Sequence, residues 1–165
     1  MAGSGHVGEA GDRLMAAPAR GPAATGVVGG LLEQVWTQGR VDLIPEFIHA
    51  DYVLLDERAE LRMRGREEFA QDVLTYRALL ADITMRATHV VREGDMVVYR
   101  WELIGRLNDI QQLGPGLRIV IRDIPDVGLI SVRGINIARL SDGLLIEETC
   151  ETDVASLGQQ MGWWK

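Results

Sequence analysis

The chain has 165 residues, 47% hydrophobic and 25% charged, which suits a single soluble globular domain with a real core. Its 24 acidic against 17 basic side chains leave a net charge of -7, which argues against a nucleic-acid partner and against an anionic membrane surface. No apolar run approaches the roughly 20 residues that span a bilayer, the N-terminus lacks a signal-peptide core, and the lone Cys150 cannot form an internal disulfide, so a cytoplasmic protein is expected.

Residues 1–26 are rich in Gly, Ala and Pro without periodicity, which predicts a disordered tail ahead of one domain over 27–165. Arg13 and Arg20 among small residues suggest a transit-like leader, against which Glu9 and Asp12 argue. Val28, Leu31, Leu32, Val35 and Trp36 fall at helical spacing and predict a helix from Val27 to Gln38, stopped at Gly39. Asp42 reads as the N-cap of a short helix from Leu43 to His49, with Pro45 in its first turn. Tyr52 to Leu55 reads as a short strand ending at Asp56, and the charged stretch from Glu57 to Gly65 as a loop. Phe69, Val73, Tyr76 and Leu80 form one face of a helix from Arg66 to Leu80, with Glu67 and Glu68 favoured in its first turn by the helix dipole.

From Ile83 the period changes to two. A strand from Ile83 to Arg92 turns at Glu93-Gly94-Asp95 into an antiparallel strand from Met96 to Leu107. Alternation there puts Val98, Arg100, Glu102 and Ile104 on one face and Val97, Tyr99, Trp101 and Leu103 on the other. Both faces are largely apolar, so the strand is predicted to be covered on both sides. Arg100 and Glu102, about 6.5–7 Å apart along the backbone, would then meet directly or across a bound ligand. Two roles stay open for that pair: an ion pair knitting the sheet, or an acid/base group whose protonation balances the Arg100 charge against burial.

Residues 108–128 read as a loop, an apolar strand from Leu117 to Ile124, and a break at Pro125 to Gly128. A strand from Leu129 to Leu140 follows, with Val132, Gly134, Asn136 and Ala138 on one face and Gly134 marking a bulge or a close backbone approach. Ser141-Asp142-Gly143 turns into a last strand from Leu144 to Asp153, and the tail ends in Trp163 and Trp164, an apolar pair expected to dock. Helices followed by hairpin-linked strands define an α+β domain with a curved, mainly antiparallel sheet around its helices, leaving a pocket. No Cys or His lies at ligand spacing to His6, His49 or His89, so no metal site is expected.

The strings EQVWTQGRVDLIPEFIHADYV, REGDMVVYRWELIG and VRGINIARLSDGLLIEETCETD, with GQQMG after the last, resemble the SnoaL-like polyketide cyclases. That family belongs to the fold shared by nuclear transport factor 2, ketosteroid isomerase and limonene epoxide hydrolase. The resemblance implies an NTF2-like conical barrel, a homodimer, an apolar pocket for a small polyketide-like substrate, and acid/base chemistry without metal or cofactor. Arg100-Trp101-Glu102 resembles the Arg-x-Asp pair of the epoxide hydrolase branch, with Glu for Asp. The alignment puts the family's second acid, on the last strand, at Cys150. Glu148 shares a face with Cys150 and replaces that acid if the face looks inward; otherwise Glu151 is the candidate.

The expected catalytic set is therefore Glu102, Arg100, Glu148 and Glu151, with Tyr52, Asp56, Asn136, Cys150 and Trp101 as substrate contacts. Cys150 has no His neighbour in sequence, which argues against a nucleophilic thiol. Residues 108–128, longer than the family pattern, read as either a lid over the pocket or a strand extension at a dimer contact. The function expected is a cofactor-independent cyclase of natural-product biosynthesis. An epoxide hydrolase or epoxide-opening ether cyclase, and a non-catalytic binding or assembly module, are the alternatives.

Overall fold

The computed structural model describes residues 25–56, 60–108 and 128–160. The expected tail up to residue 24, nearly all of the 108–128 segment with its expected strand, and Trp163 and Trp164 lie outside the described residues.

The first helix, α1 (Thr25–Gly30), widens into a π-helical segment over Leu31–Thr37. There the Gln38 N–H donates to the Glu33 carbonyl five residues back, at 3.0 Å. Leu31, Leu32 and Val35 are buried, as the spacing predicts, and Arg77 closes the segment by donating to the carbonyls of Trp36 and Thr37 at 2.8 and 2.9 Å. The helix expected from Leu43 to His49 is instead a 3-10 turn over Val41–Glu46. Pro45 brings no N–H, the Phe47 N–H reaches back only to Ile44, and Ile48 already opens a strand.

Strand β1 spans Ile48–Leu55, four residues longer than expected, and the supposed loop after it holds a second strand, β2 (Leu61–Arg64). Only Met63 of β2 is buried, so its pattern is too short and too charged to be recognised from sequence. Helix α2 (Gly65–Leu79) follows, then β3 (Leu80–Glu93), β4 (Met96–Leu107), β5 (Leu129–Ser141), β6 (Leu144–Thr152) and a short α3 (Val154–Gln160). Asp142 and Gly143 both take positive φ, 52° and 81°, at the β5–β6 turn, the geometry that suits the twist of a tight hairpin. Helix α3 docks beyond the end of β6, where the Gln160 amide pairs with the backbone of Ser131 through two 2.8 Å bonds.

The six strands form one sheet in the order β2-β1-β6-β5-β4-β3, antiparallel except for the parallel pair β1 and β6. The π-helical segment packs on β3 near one edge, while α2 packs on β1 and β2 at the other edge as well as on β3. One helical layer touching both ends requires the sheet to curl around it. The result is the expected α+β class, built as a curved open sheet with β2 and β3 at its edges.

Gly134 marks a close approach. A Cβ there would stand 2.3 Å from the Trp101 ring and 2.6 Å from the Glu151 carbonyl oxygen, so the indole or the β6 backbone would have to shift. Trp101, its register partner on β4, lies over this bare position. Gly134→Ala is expected to destabilise the fold by about 2–3 kcal/mol, lowering Tm by roughly 6–10 °C in a calorimetric scan. An unchanged Tm would show that the indole does not occupy this position.

Candidate active site

Four neighbouring strands each contribute one residue to a polar row on the concave side of the sheet: Tyr52 from β1, Glu148 from β6, Asn136 from β5 and Tyr99 from β4. Each sits on the inward face of its strand, by plain alternation on β4 and β5 and, on β6, past a register shift that separates Glu148 from the buried Leu145, among buried apolar neighbours such as Val97, Leu103 and Ala138. Glu148 is only 2% exposed. The Tyr52 hydroxyl donates to its Oε2 at 2.6 Å and the Tyr99 hydroxyl to its Oε1 at 2.5 Å. Asn136 Nδ2 donates to the Tyr99 hydroxyl at 3.0 Å, and Trp101 Nε1 donates to Asn136 Oδ1 at 2.7 Å. The chain Trp101–Asn136–Tyr99–Glu148–Tyr52 is continuous, and its buried polar groups support one another.

Its electrostatics follow from burial without a counter-charge. Burial raises the Glu148 carboxyl above its ordinary range, while the bonds from Tyr52, Tyr99 and Asn136 pull the other way. Burial, reinforced by the charge of Glu148, pushes both tyrosine hydroxyls well above theirs, so they remain proton donors.

The row forms part of the lining of a pocket of about 690 Å³. The opposite wall is helical and aromatic. Trp36 packs edge-on against Phe69 and Tyr76, with ring centroids 6.0 and 5.6 Å away, and Phe69 meets Tyr52 in the same way at 5.6 Å. At the rim, Asp56 is buried and bonded to Arg62 at 2.6 Å and to the Glu60 N–H at 3.0 Å.

Of the residues expected from sequence, Tyr52, Asp56, Trp101, Asn136, Glu148, Cys150 and Glu151 line this pocket. The face question on β6 resolves towards Glu148: it is buried, whereas Glu151 is exposed at the rim. Cys150 sits beside the row with Sγ 3.6 Å from Thr152 Oγ1, and burial raises its thiol, which keeps it protonated.

Arg100 and Glu102 are corrections. They lie on the outer face of β4, which is not covered as expected: Val98 on the same face is 39% exposed. The two do not pair with each other. Glu102 is held by Arg86 at 2.9 Å and Arg133 at 3.0 Å, its register partners on β3 and β5. The Arg86 bond, with help from Arg133 and against burial, lowers its carboxyl below the ordinary range. Alternation places these residues on one face, but an apolar strand face need not be an interior one, and cross-strand partners are invisible in a single strand's sequence.

Tyr99 and Asp72 were missed. Tyr99 belongs to the apolar face of β4, where a tyrosine reads as core. Asp72 falls between Phe69 and Tyr76 on the helix face, an interruption of the apolar stripe that was the available signal. Among the described residues no group of three or more His, Cys, Asp or Glu is arranged to hold a metal ion, and no helix is long and apolar enough to cross a membrane.

Residues 27–161 match the SnoaL-like polyketide cyclase family, and the chain belongs to it. Its fold is similar to that of TsrD from Streptomyces laurentii, at 25% identity and a TM-score of 0.65 over 84% of this chain and 93% of that one. IdmH from Streptomyces antibioticus, proposed to be a polyketide cyclase, shares 21% identity with a TM-score of 0.67 over 85% and 99%. A Catenulispora acidiphila protein with a ketosteroid isomerase-like fold shares 17% identity with a TM-score of 0.63 over 85% and 97%. No curated protein sequence matches the chain.

Since Glu102 is bound between two arginines outside the pocket, Glu102→Gln is expected to cost about 1 kcal/mol, roughly 3 °C in Tm at neutral pH, and to leave pocket binding intact. Its carboxyl is lowered on folding, so this stabilisation is complete above the ordinary value of 4.5 and is lost as pH falls through the folded value below it. The Tm gap between wild type and variant should therefore close in acid. A gap that persists there would rule out the charge as its origin.

Proposed function

We propose that the protein is a cofactor-independent cyclase that holds a largely apolar polyketide intermediate in a folded shape and closes its ring with acid/base assistance. The observation that carries this reading is a pocket of about 690 Å³ with largely apolar and aromatic walls and a hydrogen-bonded polar row, centred on Glu148, in its lining. Orientation of a flexible chain alone contributes on the order of 7–11 kcal/mol to such a reaction, so little further chemistry is required.

Glu148 and the two phenols supply that remainder. When Glu148 is neutral, its proton is donated to the Tyr52 oxygen, since Tyr99 already accepts from Asn136. The Tyr52 O–H is then turned towards the pocket, where it meets a substrate carbonyl and stabilises the oxyanion formed in an aldol-type closure. In a pericyclic closure the same donors polarise the carbonyl without moving a proton. The reading of an epoxide hydrolase rested on Arg100 and Glu102, whose position outside the pocket removes its support. A packed interior would have favoured a non-catalytic assembly module, and the interior is open.

We place the enzyme in the cytoplasm as a homodimer. Val91, Val98 and Ile137, register partners across β3, β4 and β5, form an exposed apolar row on the outer sheet face, 67%, 39% and 50% exposed respectively. A second copy covering this row should give twice the chain mass in sedimentation equilibrium, and Ile137→Lys should give monomers. A wild-type monomer at micromolar concentration would end the dimer proposal.

The catalytic reading is tested with an N-acetylcysteamine thioester of a linear poly-β-keto chain, its products followed by mass spectrometry. Wild type should form cyclised product faster than buffer, with Glu148→Gln slowed about 100-fold. Full activity in Glu148→Gln would leave only shape-driven closure, and no acceleration by wild type would sink the cyclase reading.

A further inference from the structure

Every buried carboxyl in the pocket wall has a protein partner. Glu148 has two phenols, and Asp56 has Arg62 and a backbone N–H. Asp72, on α2, is the half-buried exception. Its carboxyl has no hydrogen bond or ion pair among the described residues, yet it lines the pocket. It stands three residues after Phe69 and four before Tyr76, on the same helix face as these two aromatic rings of the wall. Arg62 is the one cation lining the pocket among the described residues, and it is engaged by Asp56.

A carboxylate kept in an apolar wall without a partner is costly, and perturbed groups of this kind cluster at functional sites. Burial alone lifts its proton affinity, which makes it a stronger base than a solvated aspartate. The charge of Asp72 reaches Cys150, which also feels Glu148 two residues away on β6. The pocket therefore lies between a carboxyl with both oxygens occupied and a carboxyl with both available.

We propose that Asp72 is the general base of the pocket, removing an α-proton from a ketone whose oxygen is held by the Tyr52 hydroxyl on the sheet wall. This rests on the reading of the pocket as a carbonyl-activating site and assigns its proton acceptor to the helix. In the step, the Asp72 carboxylate takes the C–H proton and the bonding pair becomes the enolate double bond. The carbonyl pair moves to oxygen, where a phenol hydrogen bond receives it. The proton held on Asp72 exchanges with solvent or returns to carbon, so no oxidant or further reactant enters.

The experiment uses 2-tetralone, a flat apolar ketone with acidic α-protons, in D2O. Binding is followed by tryptophan fluorescence and deuterium incorporation at C1 by NMR. Wild type is expected to accelerate exchange over buffer. Asp72→Asn should lower kcat for exchange about 100-fold, with KM within twofold and Tm equal or higher because an uncompensated charge has been removed. Wild-type exchange in Asp72→Asn, or loss in Glu148→Gln alone, would overturn the assignment while leaving the pocket's carbonyl-binding role in place. Bound tetralone that exchanges no faster than in buffer would overturn it too. Failure of tetralone to bind would sink the pocket reading and this inference together.

Discussion

Placing a carboxyl in the interior with no cation beside it is the constraint that the rest of this structure answers to. Glu148 carries a desolvation penalty that only hydrogen bonds can offset, and those bonds come from strands on either side. Tyr52 arrives on β1 through a parallel pairing, and Tyr99 on β4 across the intervening β5, whose Asn136 completes the set. A slip of one residue in any of these registers would turn its donor outward and leave the acid stranded. The polar row thus adds a hydrogen-bonded constraint on the pairing of four strands to that of the apolar core. It also fixes where the pocket has donors and where it has none.

The two acidic positions on β4 and β6 show how burial and environment divide similar residues into different roles. Glu102 is shielded from solvent by the side chains around it on the outer face, where it lies between Arg86 and Arg133 and is held ionised. Glu148 has only neutral donors and is biased towards its protonated form. One carboxyl ties three strands together on the outside of the sheet. The other faces the pocket on the inside.

Much of this was legible in the sequence because it depends on period and punctuation. The alternation from Met96 to Leu107 gave the limits of β4 outright, and Asp142-Gly143 located the last hairpin. Tyr52, Asn136, Trp101 and Glu148, expected at the site, line the pocket because each lies on the inward face of its strand. What escaped depends on neighbours distant in the chain. No local pattern says that Glu102 meets Arg86 and Arg133 in place of Arg100, or that an apolar outer strand face stays exposed. The 3-10 turn at Val41–Glu46 and the edge strand at Leu61–Arg64 are too short for their periodicity to register. Asp72 was visible as a break in a helical stripe, but its meaning needed the opposite wall.

The pairing of β1 with β6 carries a consequence for how the molecule comes into being. Tyr52 and Glu148 are separated by 96 positions, and the parallel strands that carry them must find each other after everything between has been made. The β3–β4 and β5–β6 hairpins close locally and quickly, whereas this contact is among the slowest kinds to form. During synthesis β1 and the inner face of α2 emerge long before their sheet partner does. Until the final strand arrives, the edge of β1 that β6 will pair with stays open and Tyr52 lacks its buried carboxyl partner, so the newborn chain is most prone to aggregate through that edge.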